Sequence, residues 1–216
     1  MQSDIPRTRQ EQAAATRGLL LRTAERLYAE RGLAQVSNRQ IVEAAGQANN
    51  SALSYHVGTR ADIVHAIAIA HAGPIAERTR ELVDATRGSS APRDHVASLV
   101  LPYTGHLATL GNPSWFARFT AQVSTDPAYA DGVRSAPSLA PFFDEGIAAV
   151  WAHVPDLPAR EAELRGQTAR LAIIHTCAER ERAAADTGTP ADWPLIGASL
   201  TDAVTGLLLA PRAPAG

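Results

Sequence analysis

The chain contains no lysine. All 20 of its basic residues are arginine, and together with abundant alanine this reads first as the codon bias of a GC-rich genome. Cysteine is almost as scarce: Cys177 stands alone among 216 residues, which excludes an internal disulfide. No apolar run is long enough to cross a bilayer, since even the segment from Ala66 to Ile75 is interrupted by His71, Gly73 and Pro74. The first eighteen positions lack the apolar core of a secretory leader, so a cytoplasmic protein without a membrane partner is expected. Phosphate loops, nucleophile elbows, paired Cys-x-x-Cys and His-Glu-x-x-His are all missing, so neither an enzyme nor a bound cofactor is expected. His175-x-Cys177-x-Glu179 is the nearest approach to a metal set. His175 and Glu179 lie one helical turn apart, but Cys177 would point sideways, so no metal is expected either.

What the chain does have is a helical pattern and an uneven charge. Hydrophobic residues make up 45%, enough for a real core. The net charge is −2, yet residues 1–60 carry 8 Arg against 5 acids (+3), and residues 61–216 carry 12 Arg against 17 acids (−5). A basic head on an acidic body suits a small nucleic-acid-binding module joined to something else. Strand-like alternation and internal repeats are missing, and the expected class is all-α. Residues 1–12 read as a polar arm carrying Arg7 and Arg9. Leu20, Leu21, Ala24, Leu27 and Tyr28 form the apolar stripe of a first helix that Gly32 closes. Further helices are expected over about 94–110, 114–124, 139–153, 159–186 and 192–210, with Pro74 and Pro102 as candidate kinks.

Between the first helix and residue 60 lies the segment that carries function. Ser37-Asn38-Arg39-Gln40 reads as a capping box, and Ile41, Ala44 and Ala45 are the buried face of a short helix ended by Gly46. After a turn, Asn49 or Asn50 can cap a second short helix whose inward residues are Leu53 and Val57. Gly58 breaks it, and Thr59-Arg60-Ala61-Asp62 starts another. Capped helix, glycine turn and second short helix together are the sequence form of a helix-turn-helix. The major groove admits one helix, read by polar groups near its N-terminus. Asn49, Asn50, Ser51, Ser54, Tyr55 and His56 are the candidate readers. Ser37, Arg39, Thr59 and Arg60 are placed to meet phosphates.

At this point residues 17–67 resemble the N-terminal domain of the TetR family of bacterial regulators. The resemblance rests on Leu20-Leu21, Ala24, Leu27-Tyr28, Glu30 and Gly32, then Ser37, Ile41 and Ala44-Ala45-Gly46, then Leu53, His56 and Thr59-Arg60. Ser54 stands where the family usually has Tyr, Val57 where it has Phe, and Arg60 where it has Lys. The turn after Gly46 is one residue longer, and Tyr55 takes the place of the missing Tyr. The resemblance implies a DNA-binding domain over 13–58 and a helical ligand-binding and dimerisation domain over 59–210, with 211–216 as a tail. It further implies a homodimer on a palindromic double-stranded operator, regulated as a repressor by a small-molecule effector. Activation stays open. An enzyme, or a helical small-molecule carrier that does not touch DNA, is the alternative.

Tyr103, Trp115, Phe116, Phe119, Phe142, Phe143 and Trp151 fall within about fifty positions, which marks the middle helices as the place for a pocket with apolar walls and a few polar anchors. The candidates are Tyr103, His106, Trp115, Phe119, Gln122, Phe142, Trp151 and His175. For dimerisation, the last two long helices carry wide apolar stripes. Leu164 and Leu171 on one, and Leu200, Val204 and Leu207 on the other, are the expected interface of a two-fold four-helix bundle.

Overall fold

The computed structural model describes residues 8–47, 57–129 and 140–211, and for 140–142 the backbone alone. Among these residues every regular element is a helix: α1 (Arg9–Arg31), α2 (Asn38–Ala44), α3 (Arg60–Thr86), α4 (Pro92–Thr109), α5 (Phe116–Thr125), α6 (Ala140–Trp151), α7 (Ala159–Thr187) and α8 (Trp193–Leu208). The all-α expectation holds.

The helices start where the side chains can satisfy free amides. Thr8 caps α1: its Oγ1 accepts from the Glu11 amide at 3.2 Å while the Thr8 amide donates to Glu11 Oε2 at 2.7 Å. This capping box corrects the expected arm over 1–12, because the helix already begins at Arg9. Leu20, Ala24, Leu27 and Tyr28 are almost wholly buried along α1, at about 1.5–3 kcal/mol for each of the larger side chains. Gly32, at φ +89°, ends the helix and donates its amide to the Tyr28 carbonyl at 2.9 Å.

Neither internal proline breaks its helix. Pro74 is exposed, and so is Ala70, whose carbonyl loses its partner to the proline; water can serve it there. Pro102 is buried in α4, which is held by neighbours on three sides. This helix is the axis of the body: α3, α6 and α8 all pack against it, while α5 lies between α1 and α7. Two glycines permit the close approaches. A Cβ on Gly146 of α6 would stand 2.7 Å from Leu99 Cδ2, and one on Gly197 of α8 would stand 2.6 Å from Thr104 Oγ1. Arg165 of α7 donates to the carbonyls of Leu208 and Ala210 at 2.9 and 2.7 Å, closing the end of α8.

The buried face of α8 corrects one expectation. Leu200 and Val204, assigned to a dimer interface, are 7% and 4% exposed and belong to this chain's own core. The apolar stripe of α8 is wide enough to serve two surfaces, and these two residues lie on the inner one. Leu195, by contrast, is 62% exposed, and Leu164 of α7 is 56% exposed. Leu171 and Leu207 are partly buried.

Candidate nucleic-acid interface and effector site

The head comprises α1, α2 and the start of α3. Ser37 caps α2 as expected: its Oγ accepts from the Gln40 amide at 3.3 Å, and its amide donates to Gln40 Oε1 at 2.8 Å. Arg39 is exposed on α2, and its Nε donates to Glu43 Oε1 at 2.7 Å. Such a pair contributes only a few tenths of a kcal/mol, roughly, so the guanidinium is easily redirected. Asn49, Asn50, Ser51, Ser54, Tyr55 and His56 lie outside the described residues.

Thr59 caps α3 in the same reciprocal way. Its amide donates to Asp62 Oδ2 at 2.8 Å and its Oγ1 accepts from the Asp62 amide at 3.2 Å. The Thr59 hydroxyl and amide donors hold the Asp62 carboxyl below its usual range. Gly58, at φ +104°, is needed here: a Cβ would stand 2.5 Å from Asp62 Oδ2. Arg60 is half-buried and donates from Nη2 to the Val36 carbonyl at 2.8 Å. It braces the residue before the α2 cap against the first turn of α3, a role that its sequence position alone does not disclose. Beside it lies the Tyr28 hydroxyl, pushed up to about 12 by burial. Three helix starts in the head are therefore capped by their own residues, with one arginine joining two of them.

The eight candidate pocket residues are not all brought together. Tyr103 and His106 of α4 meet α5 around the ring of Phe116, at centroid distances of 6.1 and 5.7 Å. Phe116 stands 6.4 Å from Phe119, which in turn stacks on Tyr28 of α1 at 6.4 Å. Trp115 is partly buried against the same core. The Tyr103 hydroxyl is buried beside Thr120 without a well-formed hydrogen bond, and burial drives its phenol well above the usual range. Gln122 is exposed and lies beside Gly32 at the end of α1, away from that cluster. Trp151 of α6 sits against Gly166 of α7. His175 is exposed on the surface of α7 because its helical phase differs from that of buried Cys177 and Ala178. It is thus outward-facing, and not a pocket anchor within this chain. The Phe142 side chain lies outside the described residues. A separate crevice of about 190 Å³ opens near the far end of α4, lined by Asn112, Ser114, Glu181, Pro190, Trp193 and Pro194, and none of the eight candidates lines it.

Two polar clusters escaped the sequence reading. Glu25 of α1, His71 of α3 and His106 of α4 form a hydrogen-bonded row, with His71 stacked on Phe116 at 3.8 Å and 13°. A signal existed: His71 falls four residues from both Ile67 and Ile75 on the buried face, and Glu25 lies within the apolar stripe between Leu21 and Tyr28. The second cluster centres on Glu181, which is 1% exposed. Its Oε1 accepts from Ser114 Oγ at 2.8 Å and the Ala117 amide at 3.2 Å. Its Oε2 accepts from the Arg118 amide at 3.0 Å and Arg118 Nε at 3.2 Å. Since α5 has no side-chain cap of its own, α7 supplies one. No group of His, Cys, Asp and Glu among the described residues is placed to hold a metal ion.

A capped helical head joined through a long helix to a larger helical body is the fold of TetR-family transcription regulators. A protein named as a TetR-family transcription regulator from Shewanella sp. PV-4 superimposes with a TM-score of 0.62 at 17% identity, over 91% of this chain and 99% of that one. The TetR-family transcriptional regulator PfmR from Thermus thermophilus gives 0.52 at 14% identity, over 89% and 99%. No family model and no curated protein sequence matches the chain.

Proposed function

We propose that the chain is a sequence-specific DNA-binding transcriptional regulator that works as a homodimer on a palindromic operator and is released from it, as a repressor, by a small-molecule effector. The observation that carries this reading is the build of the head. Two helix starts, at Ser37 and Thr59, are self-capped and joined by the Arg60–Val36 brace, which fixes the frame on either side of the segment 49–56. Asn49, Asn50, Ser51, Ser54, Tyr55 and His56 in that segment are the proposed base and phosphate readers, with Ser37, Arg39, Thr59 and the remaining donors of Arg60 on flanking phosphates.

The exposed leucines Leu164 and Leu195, with partly buried Leu171 and Leu207, are the proposed dimer surface on α7 and α8. Two reader helices in such a dimer must stand about 34 Å apart to meet successive turns of one groove. The body reaches the head through α3 and through the Tyr103–Phe116–Phe119–Tyr28 row, so an effector seated near Tyr103 and Trp115 would act by preferring one spacing of the readers.

Selection of bound sequences from random duplex DNA with the full chain tests this. A palindromic consensus, with affinity that falls steeply as salt rises, is the expected result. Folded protein that enriches no sequence and shows no salt-dependent DNA binding overturns it in favour of a helical small-molecule carrier.

A further inference from the structure

The Glu25–His71–His106 row joins three helices at the seam between head and body. His71 Nε2 lies 3.2 Å from Glu25 Oε2, and His71 Nδ1 lies 2.8 Å from His106 Nε2. The Glu25 and His71 side chains are only 12% and 14% exposed. Facing His71 are the Glu25 carboxylate from α1 and the His106 ring from α4, while α5 contributes the uncharged ring of Phe116. The contact of α6 with α3 lies farther along that helix, where Gly146 meets Val83.

Two proton arrangements satisfy this one geometry. In the first both rings are neutral: His106 Nε2–H donates to His71 Nδ1, and His71 Nε2–H donates to Glu25. In the second the pair has gained a proton. That proton arrives at His106 Nδ1, the shared hydrogen crosses from His106 Nε2 to His71 Nδ1, and His71 becomes an imidazolium with both nitrogens donating. Neither hydrogen bond is lost, and His106 ends neutral in its other tautomer. We propose that Glu25, His71 and His106 form a proton-carrying joint between head and body, in which one proton taken up by the histidine pair converts the His71–Glu25 contact into an ion pair and tightens the attachment of α1. Burial and the neighbouring ring hold His106 down to about 4, which favours His71 as the ring that carries the charge.

The charged arrangement gains a charge-assisted hydrogen bond to Glu25 and an imidazolium against the Phe116 face. A conformation in which α1 leaves α3 loses the contact with the Glu25 charge and holds the proton less tightly. By linkage, acid favours the attached head and the advantage is lost as pH rises. Its consequence for DNA rests on the regulator reading above.

Long-range proton–nitrogen spectra of the full-length protein, taken from about pH 8 to about pH 5.5 where histidines ordinarily titrate, test the joint directly. His71 should gain charge while His106 stays neutral and moves its hydrogen from Nε2 to Nδ1. A His106 that keeps one tautomer throughout, or that becomes the charged ring, overturns the proposal. Glu25→Gln keeps an acceptor for His71 but removes the charge, and should push the tautomer change to lower pH; an unaltered titration also overturns it. For duplex DNA recovered by selection, the ratio of wild-type to Glu25→Gln affinity should change with pH, by at most about tenfold per pH unit for one linked proton. A ratio independent of pH refutes the link to DNA. If no duplex is bound at any pH the regulator reading fails, and the spectra still decide the joint.

Discussion

Glu181 offers the sharpest test of how the body is held together. Its carboxylate is 1% exposed and accepts four hydrogen bonds, three of them from the first turn of α5 and one from the Ser114 hydroxyl just before it. Glu181→Ala leaves those donors buried and removes the counter-charge of the Arg118 guanidinium, whose side chain is 13% exposed and keeps its bond to the Ser114 carbonyl. Removing one partner of a buried, hydrogen-bonded ion pair costs about 3–5 kcal/mol. In a chain of this size that corresponds to a fall in Tm of roughly 10 °C. Glu181→Gln keeps the shape but turns one oxygen into an NH2 group, which must face either Ser114 and Ala117 or the two Arg118 donors; a loss of about 2–3 kcal/mol is expected. Urea unfolding followed by circular dichroism, at one fixed protein concentration because the reading is of a dimer, measures both. A loss below about 1 kcal/mol for Glu181→Ala would show that α5 does not depend on its borrowed cap, since even one stranded donor should cost that much.

Two further outcomes are expected. Leu164→Asp combined with Leu195→Asp should give folded monomers by sedimentation, because both leucines are exposed in the single chain; a dimer of unchanged strength would place the interface elsewhere. The His106 ring is neutral in the folded chain down to about 4, whereas in the unfolded chain it protonates near 6.5. A lowered folded value gives stability that is present above about pH 6.5 and lost as pH falls toward 4, so His106→Gln should reduce the acid slope of stability by one proton. Identical slopes in the two proteins would contradict this.

Much of the fold was legible because its signals are local. The capping box at Ser37, the helix start at Thr59 and the stops at Gly32 and Gly46 depend on residues three or four apart, and the structure places them where the sequence does. The start of α1 was missed although Thr8 and Glu11 carry the same reciprocal pattern, because the polar run around them masks it. Failures came where an outcome depends on a partner distant in sequence. Nothing near Leu200 or Val204 tells which side of a wide apolar stripe faces α4. Ser114 and Glu181 meet across 67 positions, and Glu25 and His71 across 46. His175 reads as a pocket anchor only until its helix is given a rotation.

The helix starts of the head and the start of α5 are secured in opposite ways. Thr8, Ser37 and Thr59 each carry their own cap, so none of these three helix starts depends on a contact with the body. The first turn of α5 is bound to Glu181 and would be stripped bare if it parted from α7. Parting α5 from α7 therefore strands buried donors as well as apolar surface, whereas parting α1 from α5 uncovers mainly apolar surface, with the Tyr28–Phe119 stack at its centre.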